Sequence, residues 1–393
     1  MPAGYSRRVE AGLTARWVRA TAGLAAPFAV VDLDAFDANA DDLVRRAAGK
    51  PVRVASKSVR CRALLRRALD RPGFSGLMAW SVREALWLAA DGFTDVFVAY
   101  PSGDRAALRS VAADSHAAST ITLTVDSAEQ VAFLAAIERA HPLRVAIDVD
   151  ASLQVGPLHL GVRRSPLREA GEVAMVARAA QAAGLEVVGL MFYDAQVAGL
   201  PDSSPAVRLV KTRSTRELLG RRAEVVAAVR EVADLAFVNG GGTGSLHVAA
   251  HDPSLTELAA GSGLFGPTLF DGYRSFHPRP AAAFALPVVR RPAPGIVTVA
   301  GGGYIASGPP GWSRVPSVLA PRGLRMLRAE GAGEVQTPLR GAAADGLGIG
   351  DLVWFRHAKA GELCERFDEV HLVRGDQLVE SVPTYRGEAM SFG

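Results

Sequence analysis

Cysteine and long apolar segments are both scarce in this sequence. Cys61 and Cys364 are the two cysteines among 393 residues, so a framework of disulfide bonds is excluded. No run of about 18 uncharged apolar residues occurs, which excludes a membrane-spanning helix. The N-terminal segment also lacks the apolar core of a signal peptide. We therefore expect a cytoplasmic protein with no membrane partner.

Charge imbalance is also small, and lysine is rare. The sequence has 44 Lys and Arg against 40 Asp and Glu, a net charge of +4, and arginine carries most of the positive charge. No basic cluster is interleaved with aromatic residues, so nucleic acid is not an expected partner. Hydrophobic residues make up 49% and charged residues 21%. This composition excludes a disordered or fibrous protein and allows a sizeable core.

Short apolar runs alternate with helical segments rich in Ala, Leu and Arg between residues 28 and 265. Such alternation predicts parallel strands joined by helical crossovers. The run FAVVDL at 28–33 precedes eight further runs, and eight is the strand number of an α/β TIM barrel, (β/α)8. The eight runs are at residues 52–56, 76–80, 95–100, 121–126, 144–150, 186–193, 235–240 and 256–261. An open, doubly wound sheet produces similar patterns, and the strand number favours the barrel only modestly.

The composition of the sequence changes near residue 270, where proline and glycine become frequent and long helical patterns stop. The later runs typical of strands are at residues 296–300, 351–357 and 370–375. We therefore predict two domains, a barrel over residues 26–272 and a β-rich domain formed by residues 1–25 and 273–393.

Lys57 follows directly on the apolar run VRVAS. In a parallel barrel, the carboxyl ends of the strands meet on the face that carries the site, so Lys57 is predicted to point into the barrel mouth. Partial desolvation there would lower the pKa of its ammonium, as a Schiff-base lysine requires. The alternative interpretation is an ordinary solvated lysine in a loop.

Two glycine-rich turns follow the last two predicted barrel strands, NGGGTGS at 239–245 and AGSGLFG at 260–266. Glycines let backbone N–H groups approach an anion, and Thr243, Ser245 and Ser262 add hydroxyl donors. Loops at these positions are the usual phosphate grip of a TIM barrel, although tight turns need glycine in any case. Together with a lysine after the first barrel strand, the turns indicate pyridoxal 5'-phosphate (PLP) as the cofactor.

These motifs resemble those of the fold-type III PLP enzymes. The shared motifs are PFAVVDLDAFDAN, KSVRC, GLMFYDAQ and GGGTG, and they occur in the same order over roughly residues 25–375. The sequence is most similar to the D-threonine aldolase and D-serine dehydratase group, which has an alanine racemase-like N-terminal domain. The resemblance implies a PLP-binding barrel followed by a β domain, a small amino acid as substrate, and a homodimer.

Site roles follow from the resemblance. Lys57 matches the Schiff-base lysine, and Tyr193, at the end of GLMFY, matches a tyrosine beside the cofactor ring. The residues that match the phosphate cup are Gly241, Gly242, Thr243, Gly244, Gly261 and Ser262. A core aromatic residue at a strand end is the alternative interpretation of Tyr193.

The sequence departs from the family pattern on the barrel rim. The family has an arginine two residues before a Gly-Val pair, whereas this sequence has His159 at that position and Arg163 just after the pair. His159 is therefore included among the expected cofactor-binding residues.

A second departure is at the metal site. Metal-dependent relatives have a His followed two residues later by Asp or Cys; here His357 matches the His, but Lys359 stands at the second position. Cys364 or Glu362 could supply the missing ligand. A His with a thiolate suits Zn²⁺, and a His with a carboxylate suits Mn²⁺ or Mg²⁺. The opposite interpretation is that Lys359 replaces the metal as a fixed positive charge.

The resemblance implies a lyase that acts on D-β-hydroxy amino acids. In an aldolase, a base, here His357, removes the β-hydroxyl proton, and Cα–Cβ cleavage releases glycine and an aldehyde. In a D-serine or D-threonine dehydratase (deaminase), Lys57 removes the α-proton and a Lewis acid helps the hydroxyl leave, giving a 2-oxo acid and ammonia. We favour the aldolase. A racemase is less favoured because VASKSVRC does not match the alanine racemase lysine motif, and a PLP carrier because carriers lack a C-terminal β domain.

Overall fold

The computed structural model describes residue 12 and residues 14–392. Its strands are β1 (Phe28–Asp32), β2 (Val52–Ala55), β3 (Phe74–Ala79), β4 (Val96–Val98), β5 (Ile121–Val125), β6 (Arg144–Asp148), β7 (Leu153–Val155), β8 (Leu158–Leu160), β9 (Glu186–Phe192), β10 (Phe237–Gly240), β11 (Glu257–Ala260), β12 (Ala282–Ala293), β13 (Ile296–Ala300), β14 (Ser317–Ala320), β15 (Arg325–Met326), β16 (Gln336–Arg340), β17 (Leu352–Arg356), β18 (Glu369–Arg374) and β19 (Gln377–Pro383). Its helices are α1 (Leu33–Ala47), α2 (Arg62–Leu69), α3 (Val82–Ala90), α4 (Arg105–Ala113), α5 (Ser115–Thr120), α6 (Ala128–Ala135), α7 (Ala170–Ala182), α8 (Ala195–Ala198), α9 (Pro205–Arg230), α10 (Leu246–Ala249) and α11 (Ser262–Phe265). Residues 14–20 are helical as well.

Eight parallel strands close into a barrel in the order β10-β11-β2-β3-β4-β5-β6-β9. Each of the eight runs predicted between residues 52 and 261 forms one of these strands, which confirms the barrel over the open sheet. The strands are nearly continuous apolar runs because both of their faces are covered. Phe97, Met191 and Phe237 belong to an apolar cluster. All members of this cluster lie on barrel strands or just after them.

The second region is a nine-stranded sheet with the main order β15-β16-β13-β12-β1-β18-β19, and β17 joins β12 to β14. The three later runs predicted as strands are found in it as β13, β17 and β18. Strand β1 pairs antiparallel with β12 and parallel with β18, so by its hydrogen bonds it belongs to this sheet. The boundary predicted at residue 26 assigns β1 to the barrel instead. An apolar run carries no local signal for which of two sheets it joins.

The helical residues 14–20 pack on the nine-stranded sheet. The Trp17 ring contacts Trp354 on β17, with ring centroids 5.7 Å apart. Its Nε1 donates to Asp32 Oδ2 at 2.9 Å, and Asp32 Oδ1 accepts from the backbone N–H of Ala35 at 2.9 Å. Asp32 therefore caps α1 and also anchors the N-terminal helix.

Two helices beside the barrel, α3 and α6, begin at serine caps. Ser81 Oγ accepts from the backbone N–H of Glu84 at 3.2 Å, and Ser127 Oγ accepts from that of Gln130 at 3.3 Å. These caps satisfy N–H groups that the first helical turn leaves unpaired. Among the described residues, no helix combines the length and hydropathy needed to cross a membrane.

Candidate active site

A cavity of about 460 Å³ opens where the barrel strands end. Its lining includes residues at or just after the carboxyl ends of six barrel strands, β2, β3, β4, β9, β10 and β11, where such barrels place their sites. Ser307, Arg314, Lys359 and Glu362 of the C-terminal region border the same space. The two parts of the fold therefore build one site together.

Lys57 lies in this cavity, in a 3₁₀ turn (Ser56–Ser58) directly after β2. The turn is held by a hydrogen bond from Ser56 Oγ to the Met78 carbonyl oxygen at 2.9 Å. Lys57 Nζ donates to the Tyr100 hydroxyl at 2.6 Å. The Lys57 side chain is exposed, so the protein by itself does not provide the partial desolvation that we expected for it.

Tyr100 follows β4 and lies between two cations. Besides Lys57, the guanidinium carbon of Arg164 lies 5.1 Å from the Tyr100 ring centroid. Burial raises the pKa of Tyr100, but the charges and hydrogen bonds of Lys57 and Arg164 together outweigh it, and the pKa lies below its ordinary value. A group with such a shifted pKa in a cavity is a candidate for proton transfer.

Tyr193 borders the cavity directly after β9. The guanidinium carbon of Arg164 lies 4.8 Å from its ring centroid, so Arg164 contacts both tyrosines. Burial raises the pKa of Tyr193, which keeps its hydroxyl as a hydrogen-bond donor. Arg164 is not among the site residues predicted from the sequence. Two adjacent arginines, Arg163 and Arg164, follow the Gly-Val pair and indicate positive charge on the barrel rim. Only the loop geometry decides which of the two borders the cavity.

His159 does not border the cavity. It lies on β8, in the hairpin that β7 and β8 form. Its ring nitrogens lie 3.4 Å from Ser152 Oγ and 3.3 Å from the Val162 carbonyl oxygen. Arg164, in contrast, borders the cavity, so the structure brings Arg164 and not His159 together with the other predicted site residues.

Both glycine-rich turns border the cavity, and all the residues assigned to the phosphate cup are in its lining: Gly241, Gly242, Thr243, Gly244, Gly261 and Ser262. The φ angle of Gly241 is +73°, a region that favours glycine. A Cβ added to Gly244 would lie 2.1 Å from the Ala198 carbonyl oxygen, and one added to Gly261 would lie 2.6 Å from that of Ala55. The turns therefore need glycine for close backbone packing.

The two turns are also fixed to each other. Thr243 Oγ1 accepts hydrogen bonds from Ser262 Oγ at 3.3 Å and from the Gly263 backbone N–H at 3.2 Å. The Thr243 carbonyl oxygen accepts from Arg46 at 2.7 Å. This arrangement fits PLP, because it combines a cradle of backbone and hydroxyl groups for a phosphate with a lysine for the aldehyde carbon.

His357 follows β17 and is buried outside the cavity lining. Its ring packs edge-on against Phe265, with centroids 6.1 Å apart. Burial and, to a smaller extent, the charge of Arg356 lower the pKa of His357 to about 3. The imidazole does not line the cavity, so the structure does not bring it together with Lys57 and Tyr193.

Cys364 is also separated from the cavity and lines another pocket beside Trp80 and Tyr385. Burial raises the pKa of its thiol well above the ordinary value, which disfavours the thiolate that binds metals. In residues 14–392, no three His, Cys, Asp or Glu side chains are grouped as metal ligands. The predicted set of His357 with Cys364 or Glu362 therefore does not fit a metal site.

The chain belongs to the family of the alanine racemase N-terminal domain, whose sequence model matches residues 31–268. The fold and the family define a fold-type III PLP protein. A solved structure of D-threonine aldolase from Filomicrobium marinum is similar, with a TM-score of 0.77 and 22% identity over 92% of this chain and 95% of that chain. No protein of curated function matches the sequence.

Two further solved structures are similar. D-threo-3-hydroxyaspartate dehydratase from Delftia sp. HT23 has a TM-score of 0.73 and 20% identity over 92% of this chain and 98% of that chain. Alanine racemase from Clostridium difficile 630, in complex with cycloserine, has a TM-score of 0.61 and 14% identity over 92% and 99% of the two chains. These similarities establish the fold, including the sheet that follows the barrel.

Proposed function

We propose that this protein is a PLP-dependent lyase that cleaves D-β-hydroxy amino acids to glycine and an aldehyde. The observation that carries the proposal is the shared cavity of Lys57 and the two glycine turns at the strand ends. The C-terminal region adds Lys359, Arg314 and other polar groups to this cavity. Such a second wall supports an enzyme over a carrier, since a carrier needs only to hold the cofactor.

Different residues of the cavity would bind different parts of the cofactor. The backbone and hydroxyl groups of 241–244 and 261–262 would hold the phosphate, and Lys57 would bind the aldehyde carbon. Arg164 and Tyr193 would border the ring. When bound, PLP supplies the electron sink for the pair released at the substrate Cα.

Cleavage of the Cα–Cβ bond requires a base for the β-hydroxyl proton. With His357 outside the cavity, we assign this proton to Tyr100 Oη, because Lys57 and Arg164 hold the pKa of that phenol below its usual value. As the β-oxygen becomes the aldehyde oxygen, its proton moves to Tyr100. The Lys57 ammonium would deliver the proton that completes glycine at Cα.

Dehydration is the second candidate, and the hydrogen bond of 2.6 Å between Lys57 and Tyr100 favours it. Elimination needs a base for the α-proton and an acid for the departing hydroxyl. Lys57 would be the base and the Tyr100 hydroxyl the acid. The lowered pKa of Tyr100 suits a base better than an acid, so we place cleavage first.

The experiment is a visible absorbance spectrum followed by product analysis. Purified protein supplied with PLP should show the absorbance of a PLP imine, which Lys57→Ala removes and Lys211→Ala, outside the cavity, keeps. D-Threonine and D-serine, with the L-isomers as controls, are then assayed for products. Glycine with an aldehyde supports the aldolase, and a 2-oxo acid with ammonia supports the dehydratase. Absence of the imine band in the wild type would refute the proposed function.

A further inference from the structure

Lys359 and Arg314 place positive charge on the part of the cavity wall that the C-terminal region supplies. Both side chains are half-buried and border the cavity. Glu362 is the one acidic side chain in the described lining of this cavity, whereas Lys57, Arg60 and Arg164 add further positive charge. The described lining of the cavity therefore has an excess of cations.

Lys359 is held in place and still has a donor to offer. Its Nζ donates to the Ser307 carbonyl oxygen at 3.3 Å and to Ser307 Oγ at 3.0 Å. Glu362 Oε1 accepts from the backbone N–H and from Oγ of Ser307, both at 3.1 Å. An ammonium has three N–H donors, so one remains for a ligand once Ser307 has taken two.

Arg314 supplies the second unpaired cation. Its Nε is buried and has no hydrogen-bond partner among the described residues. No carboxylate of that part of the chain forms an ion pair with it, and Glu362 is bonded to Ser307 instead. A buried guanidinium donor without a partner costs free energy unless a ligand satisfies it, and a carboxylate is the ligand that guanidinium geometry suits best.

The position of the two cations relative to Lys57 identifies the ligand. Lys359 and Arg314 border the same cavity as Lys57 and Tyr100. Lys57 would hold the aldehyde carbon of the cofactor, where the substrate amine would also bind, and the α-carboxylate of an amino acid is one carbon from its amine. We propose that Lys359 and Arg314 form the subsite that binds a carboxylate of the substrate.

This inference rests on the proposed function for the identity of the substrate, but carboxylate binding can be tested separately. Malonate, which has two carboxylates and no amine, is titrated by calorimetry into the protein supplied with PLP. We expect saturable binding that Lys359→Met and Arg314→Met each weaken by about tenfold or more. Lys359→Arg should retain most of it, and Lys211→Met, a cation outside the cavity, should retain all of it.

The result that overturns the subsite is wild-type protein that does not bind malonate, or Met variants that bind it as the wild type does. Circular dichroism of each variant checks that it is folded. The visible spectrum of the same samples reports PLP separately, so a failed proposed function appears as a missing imine band. In that case, the malonate titration of the purified protein still tests the carboxylate subsite.

Kinetics then separate two sources of the carboxylate. D-Threonine has only the α-carboxylate, whereas D-β-hydroxyaspartate has a second one on its side chain. If the subsite binds the α-carboxylate, Lys359→Met should raise KM for both substrates. If it binds the side-chain carboxylate, KM should rise only for the dicarboxylate. An unchanged KM for both would contradict the subsite.

Discussion

Tyr100 shows how a single residue acquires chemistry from its neighbours. A phenol at an exposed strand end titrates at about pH 10, far above neutral. Here Lys57 contacts its hydroxyl and Arg164 lies over its ring. Both charges stabilise the phenolate, and the pKa of Tyr100 falls although burial opposes the change. The proposed role of Tyr100 as a base therefore depends on those two cations.

Removing one cation should shift the pH dependence of the reaction. In Arg164→Gln the phenolate of Tyr100 loses part of its stabilisation, so its pKa rises. If Tyr100 is the base, the limb of the kcat profile that rises with pH should move to higher pH, measured with PLP and substrate saturating. Arg163→Gln is the matched control, since Arg163 is exposed and outside the cavity lining. An unchanged profile in Arg164→Gln would argue against Tyr100 as the base.

At the scale of elements, the turns after β10 and β11 pack so closely against neighbouring backbone that a side chain does not fit at Gly244 or Gly261. A Cβ at Gly244 would lie 2.1 Å from the Ala198 carbonyl oxygen and 2.8 Å from the Tyr273 ring. A contact that short with backbone cannot be relieved by a rotamer change, so the turn itself must move. The groups that would hold the phosphate move with it.

Gly244→Ala should therefore lower the affinity for PLP by about tenfold or more, given the loss of at least one charge-assisted hydrogen bond. Titration of the apoprotein with PLP, followed by absorbance, measures the effect. Gly220→Ala is the control, because nothing lies within 4 Å of its added Cβ in helix α9. That substitution should keep PLP affinity and stabilise the helix slightly. Equal affinity in both variants would refute the assigned phosphate cup.

Helix α3 and the C-terminal segment are joined through a buried carboxyl. Glu84 accepts from the Trp80 backbone N–H at 2.8 Å and from the Tyr385 hydroxyl at 3.0 Å. Burial raises the pKa of Glu84 from 4.5 to about 7, although these hydrogen bonds oppose the rise. The folded protein therefore binds a proton here at pH values where the unfolded chain has released it.

The sign of this shift makes stability decrease as pH rises. The contribution of Glu84 is fully present below pH 4.5 and is lost as the pH passes 7, by on the order of 3 kcal/mol from the size of the shift. Glu84→Gln stays neutral, so its unfolding free energy should fall less over that range than that of the wild type. Denaturant titrations of both proteins at the two ends of this pH range measure the difference in unfolding free energy. Glu224→Gln, at an exposed position on α9, should behave as the wild type does.

At the scale of the whole molecule, β1 connects the two parts of the fold. It precedes the barrel along the chain, but both of its hydrogen-bonded neighbours, β12 and β18, come after the barrel. All five of its residues are buried. The barrel and the following sheet are therefore not independent pieces that can be separated by cutting the chain once.

A chain that ends at residue 275 should not fold as a stable barrel. The truncation removes both partners of β1 and exposes the fully buried Ala29, Val30 and Val31. We expect aggregation, or a compact state without near-UV circular dichroism. A soluble truncated protein with native-like near-UV signal would contradict this expectation. The homodimer remains a prediction for the full chain, to be checked by analytical ultracentrifugation.

Local sequence determined the eight barrel strands and the positions of Lys57 and the glycine turns at their ends. Parallel strands covered on both faces are apolar throughout, so eight such runs separated by capped helices can be counted. A lysine and glycines placed directly after those runs must lie at the strand ends, because the strand fixes where its next residue emerges. These features need only the order of residues along the chain.

Tertiary structure alone decided which polar side chains meet in the cavity. His357 fits a motif but is buried beside Phe265, whereas Lys359, two residues later, borders the cavity. Arg164 reaches the cavity where His159 does not. Strand β1 joins the sheet rather than the barrel because its partners there, β12 and β18, are distant in sequence. Each of these outcomes depends on contacts between segments that are distant in sequence, and neither composition nor spacing specifies the direction in which a loop side chain points.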